Sequence, residues 1–216
     1  MAELRGLVGQ SLTGRKAVPV LAYAAVYSAG SYTFVAPVSG VFKFIACGSG
    51  SGGNGFDRGG SSGAYVEKTR RLAVGEAVGI VVAKAVNLGA NSAGNDTIFV
   101  FSDGLVVVAG GGAAISGTGL GGVASNGDVN INGSASSPSF TSGNPGSGLG
   151  GGPGGGTDGS TISGGSGAPG VAPFFGGAGG GVGLLIPGVG GGGAGIAGGV
   201  QGSSAPGSAV VVQIQS

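Results

Sequence analysis

Hydrophobic and polar residues alternate with a period of two in the first half of the chain, and this pattern predicts β-strands. The clearest case is residues 41–47 (VFKFIAC), in which the two phenylalanines fall on one face and Lys43 on the other. Residues 32–35 (YTFV) have a similar composition, and the turn-forming residues 37–40 separate the two runs. We therefore predict a β-hairpin from these two strands.

Four further runs of strand composition follow, and no helical pattern separates them. Asp103-Gly104 is a typical two-residue hairpin turn between the last two. Strands that recur at this spacing predict an antiparallel β-sandwich over residues 27–109. Residues 208–216 (SAVVVQIQS) return to strand composition, and we expect them to join the N-terminal sheet because a lone strand leaves its edge unpaired. The four runs are residues 64–69 (AYVEKT), 77–83 (AVGIVVA), 96–101 (DTIFVF) and 105–109 (LVVVA).

Glycine dominates the second half of the chain. Of the 57 glycines, 39 lie after residue 108, whereas all nine lysines and arginines lie at or before Lys84. Irregular spacing and few prolines exclude collagen, and scattered apolar residues such as Ile162 argue against a flexible linker. The remaining solution is a bundle of polyglycine II helices over residues 110–207, in which bare backbones bond to their neighbours. The predicted fold is thus mainly β: a sandwich, a long polyglycine II excursion and a closing C-terminal strand.

Large side chains between the glycine runs are the candidate recognition residues. Adjacent apolar residues are costly to expose together, so they either meet a partner or fill the space between helix layers. We expect them at the tips of loops that the glycine runs display. The six candidate receptor-binding residues are Phe140, Phe174, Phe175, Leu184, Leu185 and Ile186.

Residues 1–26 are interpreted as an extended docking arm. The apolar run 17–27 (AVPVLAYAAVY) follows Arg15-Lys16 and imitates a signal peptide, but it is short, contains Pro19 and begins after a polar leader. No apolar run reaches the length of a membrane-spanning helix, so we expect no membrane span.

The composition excludes most catalytic chemistry. The chain has no histidine and a single cysteine, Cys47, so zinc-type metal sites, disulfide frameworks and nucleophile–histidine pairs are absent. The net charge of +1 gives no field that would attract nucleic acid. Residues 146–151 (GSGLGG) match a dinucleotide fingerprint only as expected by chance among so many glycines. We expect no enzyme activity, cofactor or nucleic-acid partner.

The four residues 68–71 (KTRR) form a small basic cluster. It is interpreted as a solvated strand end that discourages sheet-to-sheet aggregation. The alternative is contact with an acidic saccharide or a neighbouring subunit.

Five segments form an ordered pattern along the chain: residues 32–37 with 41–44, 48–55, 59–69 (GGSSGAYVEKT), 127–133 (GDVNING) and 209–214. In this order they resemble segments of the glycine-rich tail proteins of bacteriophages. That resemblance implies a virion protein at the phage tail or tail tip that recognises a receptor on the bacterial surface, either protein or polysaccharide. It also implies contact with other tail or baseplate proteins, and a homotrimer is expected from the usual construction of tail tips.

Two other functions stay open at this point. A purely structural virion component, such as a baseplate or head-decoration subunit, would dock through residues 1–26 and bind no host cell. An ice-binding protein is the third possibility, since polyglycine II bundles can present flat regular surfaces, but the irregular loops argue against it.

Overall fold

The computed structural model describes residues 24–51, 61–86, 92–113, 120–133 and 206–215. Within these ranges the chain forms ten β-strands in two antiparallel sheets and contains no helix. The mainly β architecture predicted from the period-two pattern is confirmed. The strands are β1 (Ala24–Tyr27), β2 (Gly30–Val35), β3 (Gly40–Cys47), β4 (Tyr65–Leu72), β5 (Ala77–Val82), β6 (Thr97–Val100), β7 (Val106–Ala109), β8 (Ala124–Ser125), β9 (Val129–Ile131) and β10 (Ser208–Gln215).

The strands divide equally between two sheets. Sheet A has the order β1-β10-β3-β4-β9, and sheet B has the order β2-β5-β6-β7-β8. Val211 of β10 pairs with Ala25 of β1 on one side and with Phe44 of β3 on the other. The strand that was predicted to return to the N-terminal sheet therefore lies inside sheet A, between strands separated from it by most of the chain.

Aromatic side chains from both sheets form the core. Phe44 of sheet A lies 5.4 Å from Phe99 and 5.0 Å from Phe101 between ring centroids, and Phe34 of sheet B lies 5.4 Å from Phe42. These rings meet edge to face, and each such pair adds roughly 0.5–1.5 kcal/mol to the burial of its apolar surface. Because every pair joins one sheet to the other, the contacts hold the two layers together.

The predicted hairpin between residues 32–35 and 41–47 is wrong. β2 pairs with β5 in sheet B, and β3 pairs with β10 and β4 in sheet A, so the connection at 36–39 crosses from one sheet to the other. We call such a connection between the two sheets an arch. The contact between the Phe34 and Phe42 rings explains it, because an arch brings the two rings together across the core, whereas a hairpin would place them side by side in one layer. The arch is fixed to the neighbouring connection by Ala36 N–H donating to the Glu76 carbonyl at 2.9 Å.

A hairpin is confirmed at Asp103-Gly104, but its loop has three residues, 102–104, instead of the predicted two, because Phe101 lies opposite Leu105. β6 and β7 pair antiparallel, and Phe101 N–H donates to the Leu105 carbonyl at 2.9 Å across the turn. Gly104 has φ of 83°, a left-handed conformation in which glycine carries no steric penalty. The sequence predicted this turn because the left-handed conformation that ends it favours glycine, and this preference acts within a few residues.

The connections divide between two ends of the sandwich. The end that we call the turn pole carries the short connections 36–39, 73–76 and 101–105. The opposite end, the glycine pole, carries the segments that follow β3 and β7 and those that precede β4, β6 and β10. Because β1 and β10 are antiparallel and Ala24 lies opposite Val212, the chain enters β1 from the side of the turn pole.

Candidate functional site at the glycine pole

The six candidate receptor-binding residues lie outside the described residues, as does most of the glycine-rich region 110–207. Their role stays a prediction. The described segments 120–133 and 206–207 nevertheless locate the points where residues 134–205 join the fold. Both junctions are at the glycine pole, which makes this end the candidate site.

Five short segments outside the ten strands pack against one another at this pole. We call them together the glycine cluster. Segment 110–113 bonds through its backbone to all four of the others. The segments are 48–51, 61–64, 94–95, 110–113 and 120–123.

Gly110 and Gly112 make the hydrogen bonds that join segment 110–113 to the other four segments. Gly110 N–H donates to Val123 at 3.0 Å, and its carbonyl accepts from Ala64 at 2.8 Å. Gly112 N–H donates to Ser49 at 2.9 Å, and its carbonyl accepts from Gly94 at 2.7 Å. A strand in a sheet bonds to neighbours on two sides only, so a segment with four bonded neighbours belongs to a three-dimensional packing of backbones.

Side chains are absent where these backbones approach most closely. A Cβ on Gly122 would lie well inside van der Waals contact of the Gly110 carbonyl oxygen. A Cβ on Gly63 would meet the Gly48 carbonyl in the same way, and one on Gly111 would meet the Gly94 backbone. In all three cases the obstacle is backbone, which cannot move aside as a flexible side chain can. The glycines of this cluster thus have a packing role.

Buried serines complete the hydrogen bonding of the cluster. Ser61 N–H donates to Ser51 Oγ at 2.8 Å, and Ser61 Oγ donates to the Ala113 carbonyl at 3.0 Å. Ser49 Oγ accepts from Asn95 N–H at 2.7 Å. Ser49, Ser51 and Ser61 are completely buried, and serine is small enough to occupy these positions while bonding to backbone. The cluster is therefore an ordered polar core made largely of main chain.

Thr97 joins the glycine cluster to the apolar core. Its buried hydroxyl accepts from Ala83 N–H at 3.1 Å and donates to the Cys47 carbonyl at 2.8 Å. A Cβ on Gly207 would collide with both Thr97 Oγ1 and the Cys47 carbonyl, so the chain enters β10 through a gap that only glycine fits. Cys47 itself is completely buried, as expected for a small apolar residue.

The described residues that flank 52–60, 87–91, 114–119 and 134–205 all lie at the glycine pole. Residues 52–60 and 114–119 are each bounded by two segments of the glycine cluster. Residues 87–91 connect the ends of β5 and β6 at this pole, and residues 134–205 run from Gly133 to Pro206. Gly133 N–H donates to the Gly122 carbonyl at 2.8 Å, which attaches the longest of these stretches to the cluster.

The basic cluster at residues 68–71 is divided between the two faces of sheet A. Lys68 and Arg70 lie opposite Phe44 and Phe42 and so belong to the inner face. Lys68 pairs with Asp128 at 2.7 Å and Arg70 with Asp103 at 2.5 Å. Hydrogen bonds from these cations are the main reason that the pKa of each aspartate lies below its usual range. The four residues therefore do not form one basic surface, which weakens the case for an acidic-saccharide site here.

A polar group also lies on the outward face of sheet A. Glu67 receives a hydrogen bond from Tyr65 and pairs with Lys43, both at 2.5 Å. Partial burial works to raise the pKa of Glu67, but hydrogen bonds from Lys43 and Tyr65 outweigh burial and the net direction is downward. Burial and the Glu67 carboxylate raise the pKa of the Tyr65 hydroxyl. The three side chains satisfy one another and cross-link β3 to β4.

Within the described ranges, no three histidine, cysteine, aspartate or glutamate residues are grouped so that they could hold a metal ion. The same part of the chain has no helix of the length and apolarity needed to cross a membrane.

Comparison with known proteins identifies no family for this chain. No protein-family model matches the sequence, and none of the curated proteins matches it either.

Proposed function

We propose that this protein is a non-enzymatic virion protein of a phage tail or tail tip, and that it binds the bacterial surface through loops at the glycine pole. The observation that carries the proposal is that the described residues on both sides of 52–60, 87–91, 114–119 and 134–205 lie at one end of the sandwich. A rigid support suits recognition, because contact residues that it holds in place lose little conformational entropy when they meet a partner.

In this proposal the glycine cluster is the base of a polyglycine II bundle that continues through residues 134–205. Segment 110–113 supports this extension because its peptide groups bond to four neighbouring segments, and helices of the polyproline II shape leave their peptide groups free to bond sideways. The glycine runs 150–156 and 176–183 supply further side-chain-free backbone. The bundle would hold Phe140, Phe174, Phe175 and residues 184–186 between its helices as contact residues.

In this proposal the turn pole serves for attachment to the particle and the glycine pole for recognition of the host. β1 begins on the side of the turn pole, and residues 1–23, the part of the predicted arm 1–26 that precedes it, would dock onto other tail or baseplate proteins. The glycine pole, at the far end of the strands, would then point away from the particle. Attachment and recognition are thus separated by the length of the sandwich.

Two measurements test the proposal. Immunogold labelling of phage particles is expected to place the protein at the tail or tail tip. Label on the capsid or inside the baseplate, together with no binding to cells, would favour the purely structural alternative.

The second measurement is binding of the full-length protein, fluorescently labelled at its N-terminus, to a panel of bacterial strains. The double variant Phe174→Ala/Phe175→Ala is expected to lose binding to any strain that the wild type labels, with an unchanged far-ultraviolet circular dichroism spectrum. Val74→Ala is the matched control, because it removes a 65% exposed apolar side chain at the turn pole. Unchanged binding by the phenylalanine variant would refute the assignment of the contact residues.

A further inference from the structure

A second apolar cluster lies on the outward face of sheet A, the face turned away from sheet B. Side chains of β3 alternate between the two faces, so Phe44 and Ala46 belong to the core whereas Ile45 and Cys47 belong to this second cluster. We call it the outer cluster. Its buried members are Ile45, Cys47, Tyr65 and Val210, and Ile131 and Val212 pack against them.

The outer cluster is buried although no described strand lies over it. Cys47 is completely buried, and Tyr65 is only 3% exposed. Burial is also the largest cause that raises the pKa of the Tyr65 hydroxyl. The ten described strands form only the two sheets of the sandwich, and sheet B packs on the opposite face of sheet A. Burial on the outward face therefore requires a third layer.

The burial has limits, and these outline the area that the third layer covers. Val26 lies beside Val210 in the next strand and is 69% exposed, and Val129, at the other edge of the sheet, is 39% exposed. Toward the turn pole, the side chain of Lys43 is half-buried. The third layer thus covers β10, β3 and β4 near the glycine pole and leaves both edges of sheet A open.

A buried serine beside the outer cluster lacks a hydrogen-bond partner. Ser208 pairs with Cys47 in the ladder and lies on the same outward face. It is buried, and its hydroxyl bonds to none of the described residues. The buried Ser61 hydroxyl of the glycine cluster, by contrast, donates to a main-chain carbonyl. Because a buried hydroxyl is unfavourable without a partner, we expect the third layer to supply a main-chain group at Ser208.

The composition of two strands agrees with burial on both faces. Residues 44–47 (FIAC) of β3 and 209–212 (AVVV) of β10 are apolar at every position. A strand with one face in water alternates between apolar and polar residues, whereas a strand covered on both faces is a near-continuous apolar run. The two runs lie at the glycine-pole ends of their strands, where the outer cluster is buried.

We propose that residues 134–205 cross the outward face of sheet A and form this third layer. The segment leaves the described fold just after Ile131 and returns just before Ser208, and these two residues end one row of ladder partners across the sheet. At about 3.1 Å per residue, about five residues of an extended glycine-rich segment span the three strand spacings of the row, roughly 14 Å. The row consists of Ile131, Tyr65, Cys47 and Ser208.

Composition and position favour this segment over the others. It contains one charged residue, Asp158, and its apolar side chains lie between glycine runs, which suits contact with an apolar face. Residues 52–60 carry two charges and leave the glycine cluster four residues beyond the end of β3. Residues 87–91 and 114–119 connect strands of sheet B, and residues 1–23 precede a strand that begins near the turn pole.

Cysteine scanning of the full chain tests the third layer, because Cys47 is the only cysteine in the sequence. One cysteine is introduced per variant at an apolar position of residues 134–205, and the folded protein is mildly oxidised. A disulfide needs Cα atoms about 4.4–6.8 Å apart, so it reports contact with the outer cluster. We expect at least one variant to form it faster in the folded state than in urea. The variants are Ile162→Cys, Val171→Cys, Val182→Cys, Val189→Cys, Ile196→Cys and Val200→Cys.

Phe56→Cys and Val20→Cys are the matched controls, because they place the new cysteine in residues 52–60 and 1–23. Neither should form a disulfide with Cys47 faster in the folded state than in urea. Trypsin reads the result, since its last cleavage site is Lys84. It releases residues 44–58 and 85–216 as separate peptides unless a disulfide joins them.

The reactivity of Cys47 itself provides a second measurement. In folded wild type, the thiol should react with a labelling reagent about a hundredfold or more slowly than in urea. Ser208→Ala should increase the folded-state rate about five- to tenfold, because it removes a hydrogen bond that holds the third layer. Ser31→Ala is the matched control, since Ser31 is exposed on sheet B, and it should leave the rate unchanged. Equal melting temperatures separate local opening from loss of folding.

Several results would overturn the proposal. They are no disulfide in any of the six variants, a disulfide from a control variant alone, or a link only between two chains, seen as a dimer on a non-reducing gel. A Cys47 thiol that reacts equally fast in folded and unfolded protein, or a Ser208→Ala variant without effect, would also contradict it. The third layer does not rest on the proposed function, because all of these measurements use isolated protein and none involves binding to cells.

Discussion

Replacing Gly122 by alanine should destabilise the protein far more than its single added methyl group would suggest. The new Cβ would lie on the hydrogen bond in which Ala64 N–H donates to the Gly110 carbonyl, because both of those groups are among its nearest neighbours. Forcing a methyl into packed structure costs about 1–3 kcal/mol, and a buried peptide group left without its partner costs about 1–3 kcal/mol more. We expect a loss of about 3 kcal/mol or more, which is a large share of the 5–15 kcal/mol typical of a domain.

The measurement is urea unfolding followed by far-ultraviolet circular dichroism, with thermal melting alongside it. At roughly 2–4 °C per kcal/mol for a chain of this size, the melting temperature should fall by about 6 °C or more. Gly79→Ala is the matched control, because its Cβ would meet Val100 Cβ at an ordinary 3.6 Å. That variant should be neutral or stabilised by up to about 1 kcal/mol, since alanine restricts the unfolded chain.

The reasoning fails if Gly122→Ala unfolds within about 0.5 kcal/mol of wild type, the range usual for unimportant surface sites. The backbone around Gly122 would then have room for a methyl group in spite of its short contacts. It fails equally if Gly79→Ala is as harmful as Gly122→Ala, because glycine content, rather than close approach, would then be the cause.

Two further substitutions test the polar contacts of the fold. Thr97→Val removes the hydroxyl that accepts from Ala83 and donates to Cys47, and should cost about 1–3 kcal/mol in urea unfolding, whereas Thr97→Ser should recover most of the loss. Asp128 has a pKa lowered by Lys68, so its stabilising contribution is present above the ordinary aspartate pKa and is lost as the pH falls through the lowered one. Asp128→Asn should therefore make stability less dependent on pH between about pH 5 and 2, and an unchanged pH profile would contradict this.

Local sequence patterns predicted most of the strands. Alternation placed Phe42 and Phe44 on the core face of β3, and Asp103-Gly104 located the β6–β7 turn, because both signals act within a few residues. The arch between β2 and β3 was predicted wrongly. A hairpin and an arch bury the same alternate residues, and only packing across the core, seen in the Phe34–Phe42 contact, decides between them.

The candidate site was only partly visible in the sequence. The sequence singled out residues 48–55 and the glycine-rich region 110–207, but the packing of 48–51 against 110–113 depends on contacts between segments far apart in the chain. The outer cluster of sheet A was missed, although a signal exists. Residues 44–47 and 209–212 are apolar on both faces, and this becomes apparent only once the register assigns each residue to a face.

The position of β10 has a consequence for biosynthesis. All five strands of sheet B lie between residues 30 and 125, so that sheet can form while the ribosome is still making the glycine-rich segment. Sheet A cannot, because β1 and β3 are joined only through residues 208–215. At roughly 5–20 residues per second, the edge of β3 stays open for about 4–15 s while residues 134–205 are translated. The nascent chain must therefore keep an unpaired apolar edge from aggregating until the strand that closes it emerges.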